Sequence, residues 1–158
     1  MNRILLVEDD CDLANITSCY LTHAGYEVDI AATCAAAAEL IGRIEYQLVL
    51  LDSVLPDGRG NDLCPLIREK DSLCPILFLS CLDDSESVVS ALDHGGDDYM
   101  VKPVKPLELL ARIQANLRKR ETYEKQLRQQ ERPHHLEIGN LDIDTDMRLI
   151  RQDAEVVS

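Results

Sequence analysis

The chain has 158 residues, of which 46% are hydrophobic and 28% charged, with a formal net charge of −13. That length holds one domain of typical size plus a short remainder, with the composition of a soluble globular protein. The acidic balance excludes a surface built as a nucleic-acid footprint, which needs clustered Lys and Arg, and no apolar stretch approaches the roughly 20 residues that span a bilayer.

Residues 4–7 form a short apolar run that stops at Glu8-Asp9-Asp10, the pattern of a strand buried on both faces of a parallel sheet. Because the chain enters this strand directly, no signal peptide is expected. A helix follows over 12–24, with Leu13, Ile16, Tyr20 and Leu21 on one face and Gly25 as its stop. The next strand covers 27–31, and Thr33 is placed to cap an alanine-rich helix ending near Arg43. A third apolar run over 48–51 stops at Asp52, the loop Pro56-Asp57-Gly58 comes next, and a helix is expected over 61–70. A fourth run over 76–79 stops at Ser80. Asp83 and Glu86 then have capping-box spacing for a helix reaching His94, which Gly95-Gly96 ends. The fifth strand, 98–101, stops at Lys102-Pro103. Pro106 suits the first turn of a last helix with Leu110, Ile113 and Leu117 on one face.

Five strand–helix units in series imply a parallel sheet with right-handed crossovers and helices on both faces. The last helical pattern runs on as a polar linker over 121–135, supported by the i,i+4 pairs Glu121/Lys125 and Glu124/Arg128 and ended by Pro133. His134-His135 has no partner of metal-site spacing and reads as solvated linker. From Leu136 the pattern changes to broken alternation, predicting short antiparallel strands over 136–158, too few for a core of their own. The six cysteines show no C-x-x-C pair and no zinc-type spacing, and read as reduced thiols acting as small hydrophobes.

In parallel sheets chemistry gathers beyond the carboxyl ends of the strands. Glu8, Asp9 and Asp52 at such ends repel one another unless a cation intervenes, and an all-oxygen site suits Mg²⁺. Asp10 and Asp12 fit the start of the first helix instead. Ser80 and Lys102 supply a hydroxyl and a fixed positive charge at two further strand ends. Together the set can bind the oxygens of a phosphoryl group carried on a carboxylate, with Asp52 as nucleophile.

These stretches resemble the receiver domain of two-component response regulators. The matching segments are Ile4-Leu5-Leu6-Val7-Glu8-Asp9-Asp10, Leu50 to Gly58, Ile76 to Ser80 and Gly95 to Pro103. The resemblance implies a flavodoxin-like five-stranded doubly wound parallel α/β sheet of strand order 2-1-3-4-5 over residues 1–120. It implies Asp52 as phosphoacceptor for a sensor histidine kinase, and Mg²⁺ held by Glu8, Asp9, Asp52 and the main-chain carbonyl of Val54. Ser80 and Lys102 are implied to contact the phosphoryl group, Ser80 and Tyr99 to act as the switch, and Lys102-Pro103 to be a cis peptide. Gly95-Gly96-Asp97-Asp98-Tyr99 and Leu109-Leu110-Ala111-Arg112-Ile113 are similar to the OmpR/PhoB-type transcriptional regulators, and 136–158 resembles the opening strands of their winged-helix domain.

The implied protein is therefore a cytoplasmic phosphoacceptor and not an enzyme acting on external substrates. It would dimerise on phosphorylation through the fourth helix, fifth strand and fifth helix, and bind DNA only through a complete effector domain. Asp97, Glu108 and Arg112 are candidates for that interface. Val88 and Ser90 stand where the subfamily commonly carries basic residues, so a weaker or more apolar dimer is expected. Val54 and Leu82 offer no side chain to orient an attacking water, which predicts a long-lived acyl phosphate. Competing readings are a stand-alone receiver working by protein contacts, a flavin or nucleotide oxidoreductase, and an aspartate phosphatase. The oxidoreductase lacks a glycine-rich loop after the first strand, and the phosphatase lacks an insertion to form a substrate pocket.

Overall fold

The computed structural model describes residues 2–130, so the expected strands over 136–158 and the end of the linker lie outside the described residues. The chain divides into two units, Met1–Glu121 and Thr122–Ser158. The first alternates strand and helix: β1 Arg3–Val7, α1 Cys11–His23, β2 Glu27–Ala31, α2 Cys34–Arg43, β3 Leu48–Leu51, α3 Cys64–Lys70, β4 Ile76–Ser80, α4 Ser85–Asp93 and β5 Asp98–Val101. A last helix, α5, is Pro106–Gln130. A two-residue ribbon pairs Val54 with Arg59 and Leu55 with Gly58, and a 3-10 turn, Gly60–Leu63, precedes α3.

The five strands form one parallel sheet in the order β2-β1-β3-β4-β5. Side chains of a strand alternate between faces, and the core is split accordingly. Leu5, Val7, Val49, Leu51, Ile76 and Phe78 pack with Ala37 and Ile41 of α2, Cys64 and Ile67 of α3 and Ala91 of α4. Ile4, Leu6, Leu48, Leu50, Leu77 and Leu79 pack on the other side with Ala14 and Leu21 of α1 and Leu109, Ile113 and Leu117 of α5. This is the doubly wound α/β architecture expected from the sequence.

Four local details differ from the sequence reading. α1 buries Ala14, Thr17 and Leu21, while Ile16 and Tyr20 are 56% and 46% exposed. The small side chains let the helix approach the sheet closely, and the bulky ones are turned out. The helix expected from Asn61 opens as the 3-10 turn instead, and α3 proper starts at Cys64 with Pro65 in its first turn, a position where the missing N–H costs nothing. The cap of α4 is Asp84, not Asp83: its side chain accepts from the Ser87 N–H at 3.0 Å and from the Ser87 hydroxyl at 2.8 Å. On α5 the fully buried position in the first turns is Leu109, with Leu110 half-buried. Thr33 caps α2 as expected, accepting from Ala36 N–H at 3.1 Å.

The thiols divide by environment. Cys64 and Cys74 are buried, Cys34 is half-buried, and Cys11, Cys19 and Cys81 are exposed, with no disulfide among them. Burial pushes the thiols of Cys64 and Cys74 up to about 11 and about 12. These two behave as the small hydrophobes expected of all six; the three exposed ones do not. Among the described residues no helix is long and apolar enough to cross a membrane.

Candidate functional site

Sheet register builds the site. Val7 is level with Leu51, so the next residues, Glu8 and Asp52, leave the sheet side by side. The ladder carries them out: Glu8 N–H donates to Ala31 at 2.9 Å and Asp52 N–H to Val7 at 3.1 Å. Across the sheet Ser80 is level with Val101, and Lys102 N–H donates to the Ser80 carbonyl at 2.8 Å. Glu8, Asp52 and Ser80 are buried, at 4%, 8% and 1% exposure.

Lys102 joins the strand ends. Its Nζ lies 2.9 Å from Asp52 Oδ2 and 2.5 Å from Glu8 Oε1. Burial works against the ammonium charge, yet the hydrogen bonds to Glu8 and Asp52 outweigh it and raise the lysine pKa. Burial also raises the Glu8 pKa, against the opposing pull of Lys102 and of the Asp10 N–H, which donates to Glu8 Oε2 at 3.2 Å. The Lys102–Pro103 peptide is cis.

Asp9 is exposed beside this buried pair. One carboxylate oxygen each from Glu8, Asp9 and Asp52 lie within 4.8 Å of one another. One ammonium against three carboxylates leaves two formal negative charges in a small volume. The donor set is all oxygen and suits a hard divalent cation; these residues can hold a metal ion.

The second carboxylate oxygen of Asp52 is fixed by its own loop, where Val54 N–H donates to Oδ1 at 3.2 Å. Gly60 packs against the same residue so tightly that a Cβ there would sit 2.0 Å from the Asp52 carbonyl oxygen. Asp57 ties the loop to α2, accepting from the N–H groups of Cys34 at 2.8 Å and Ala35 at 3.0 Å. Those bonds hold its carboxyl below the usual range. Asp10 sits outside the site as the N-cap of α1, accepting from Leu13 N–H at 3.1 Å.

Ser80 and Tyr99 meet at the exit of β4. The Ser80 hydroxyl oxygen accepts from Leu82 N–H at 3.2 Å, and the Tyr99 hydroxyl donates to the Leu82 carbonyl at 2.7 Å. The Tyr99 ring stacks on Phe78 with centroids 5.9 Å apart. Farther out, Arg112 bonds Glu108 at 3.2 Å and Asp98 at 3.0 Å. Asp97 is engaged elsewhere: it accepts from Arg68 at 2.8 Å and from Ile76 N–H at 2.8 Å. The structure thus brings Glu8, Asp9, Asp52 and Lys102 together, and groups Glu108 and Arg112 with Asp98. Sequence reading missed Asp98, Asp57 as anchor of the loop, and the buried Asn61; only Asp57, in its Pro-Asp-Gly turn, left a trace in the sequence.

Residues 4–114 match the model of the response regulator receiver domain family. The chain is 35% identical over 156 residues to the DNA-binding response regulator MtrA of Mycolicibacterium smegmatis, covering 99% of this chain and 64% of that protein. It is 40% identical over 119 residues to the response regulator ArlR of Staphylococcus haemolyticus, covering 75% of this chain and 54% of that protein. The chain therefore spans less than two thirds of the length of these relatives. Among solved structures, a CheY-like receiver domain protein from Methanospirillum hungatei superposes with a TM-score of 0.75 at 32% identity, covering 78% of this chain and 98% of that one. The BeF3-activated DrrB receiver domain superposes with a TM-score of 0.67 at 33% identity, over 75% of this chain and 98% of that one. With the sheet order, the acidic strand ends and the family match in agreement, this chain belongs to the receiver domain family of two-component response regulators, and its relatives are in keeping with the OmpR/PhoB-type resemblance.

Proposed function

We propose that this chain is a phosphorylation switch in which Asp52 accepts a phosphoryl group from a sensor histidine kinase. The observation that carries the reading is the convergence on Asp52 of the Lys102 ammonium at 2.9 Å and of two further carboxylates, Glu8 and Asp9. Asp52 is a buried carboxylate whose two oxygens have different partners, Val54 N–H on one and Lys102 on the other. Such fixation leaves one attack direction for an in-line transfer, which needs positioning and charge compensation more than covalent help.

Glu8, Asp9, Asp52 and the main-chain carbonyl of Val54 would hold Mg²⁺. When bound, it supplies charge neutralisation for the entering phosphoryl oxygens. Phosphorylation adds roughly 1.5–2 negative charges at Asp52. Lys102 then exchanges its carboxylate bond for charge-assisted bonds to phosphoryl oxygens, and the Ser80 hydroxyl turns from Leu82 toward them. Because Tyr99 is tied to the carbonyl of that same residue, Leu82, movement of that loop repacks the tyrosine and alters the face of α4, β5 and α5. That face, with Glu108 and Arg112 at its rim, mediates dimerisation, and a complete effector domain converts the dimer into transcriptional output. The protein works in the cytoplasm and turns over no external substrate.

Incubation with Mg²⁺ and a small-molecule phosphodonor, followed by intact mass, tests the reading. A single Mg²⁺-dependent phosphoryl adduct is expected, absent from Asp52→Asn. An adduct that survives this substitution, or none at all in the wild type, sinks it.

A further inference from the structure

Among the described residues, two buried side-chain polar atoms have no hydrogen-bond partner, Ser53 Oγ and Asn61 Oδ1. Both belong to the segment that leaves Asp52. Gly60 N–H closes that segment on the Ser53 carbonyl at 2.9 Å, and Gly60 itself abuts the Asp52 main chain. The turn that carries Asn61 therefore rests directly on the backbone of the phosphoacceptor.

Asn61 is 6% exposed. Its Nδ2 donates across to α4, reaching Ser90 Oγ at 3.1 Å. A leucine of similar size would fill the same space without burying an oxygen that has nothing to bond, so the amide is a poor choice for stability alone. What it adds is direction: a polar bond at one defined pair of atoms, between the phosphoacceptor segment and the middle of α4.

We propose that the Asn61–Ser90 hydrogen bond is a coupling contact that makes the position of α4 follow the segment carrying Asp52. This rests on the phosphorylation reading above and adds a second route to α4. The first route enters at the amino end of the helix, through Ser80, Leu82 and Tyr99. The second enters at the middle of the helix, at Ser90, and follows the main chain of Asp52 and Gly60. With both routes, α4 is gripped at two points and moves as a body; with one, its carboxyl half is released. Asn61 and Ser90 touch no reacting atom and act as positioning residues.

Hydrogen exchange of the full chain with Mg²⁺ and beryllofluoride, a phosphoryl mimic, tests the coupling. In the wild type, protection is expected to change both in residues 53–63 and in α4. Ser90→Ala should keep the change in 53–63 and lose about fivefold of the α4 response, the low end of measured coupling factors. Ser90→Thr, which restores the hydroxyl, should recover it. Because Ser90 is only half-buried, these variants avoid the folding risk of changing Asn61. An α4 response in Ser90→Ala equal to wild type, with the 53–63 change intact, overturns the coupling alone. No change in 53–63 of the wild type overturns the phosphorylation reading, and the coupling with it.

Discussion

At the amino ends of the strands Arg3 pairs with Glu27 and Asp29, Arg68 with Asp97, and Arg120 with Asp71, whereas at the carboxyl ends three carboxylates face the one ammonium of Lys102. Polar groups are tied down at the first end even where they are partly buried. Tyr46 donates to Asp29 at 2.8 Å, burial and that bond drive its hydroxyl pKa up, and Lys70 donates to the carbonyls of Ile41 and Ile44 that close α2. The same sheet thus carries a structural end, where charge is paired within the chain, and a reactive end, where carboxylates outnumber the one ammonium and a cation would restore the balance. The difference teaches where like charge is crowded together: Glu8, Asp9 and Asp52 each bring a carboxylate oxygen within 4.8 Å of the others.

Four tests break or sharpen that contrast, in descending order of effect. Lys102→Met removes the single cation of the reactive end and leaves Glu8 and Asp52 buried without it. A stability loss of about 3–5 kcal/mol is expected from urea unfolding at neutral pH, while Asp52→Asn, which relieves repulsion, should cost far less; equal losses would mean that the two ends are not differently balanced. Gly60→Ala drives a Cβ into the Asp52 carbonyl. The expected cost is about 3 kcal/mol, the upper part of the overpacking range, accompanied by slower phosphorylation of Asp52, whose carboxylate is displaced with its backbone.

Arg68→Ala probes the structural end. Its guanidinium donates to the carbonyls of Cys74 and Gly95 and to Asp97, so unfolding should report a loss of about 2 kcal/mol. Phosphorylation of Asp52 should remain at the wild-type level, since Arg68 lies away from the site. A variant that folds normally but loses its adduct would contradict the separation of the two ends. The smallest effect concerns pH. Asp57 is held below the usual carboxylate range by the N–H groups of Cys34 and Ala35. A depressed folded pKa contributes stability that is present above the unfolded value of about 3.9 and is lost as pH falls through the folded one. Asp57→Asn should therefore flatten the acid side of the stability profile, with urea midpoints of variant and wild type converging as pH drops below 4. Parallel profiles would show that Asp57 does not anchor the loop to α2.

Much of this molecule could be read along the chain because its signals are local. Apolar runs over 4–7, 48–51 and 76–79 each stop at a polar residue, and a strand buried on both faces has no other way to end than at the rim where chemistry collects. Once five such units were counted, a parallel sheet with Glu8, Asp52, Ser80 and Lys102 at its carboxyl ends followed from topology, while the strand order came from the family resemblance. Thr33 was legible as a cap, and Asp10 and Asp12 as acids at a helix start, for the same reason, since these residues and their helix lie within three residues of each other.

The tertiary structure alone decided everything that depends on which neighbour a side chain meets. Periodicity drew an apolar face on α1 but could not tell that Ala14 and Thr17, being small, would turn to the sheet and leave Ile16 and Tyr20 outside. Adjacent aspartates looked alike in sequence, Asp83 beside Asp84 and Asp97 beside Asp98. The folded backbone makes Asp84 the cap of α4 and aims Asp97 and Asp98 at different arginines, Arg68 and Arg112. Asn61 gave no signal at all, because its partner Ser90 is 29 residues distant and nothing in a one-dimensional pattern brings α3's leading turn against α4. Burial and period are properties of a segment and are written in it. A hydrogen bond between segments is a property of their packing, set by close contact of whole elements, and only the folded chain contains it.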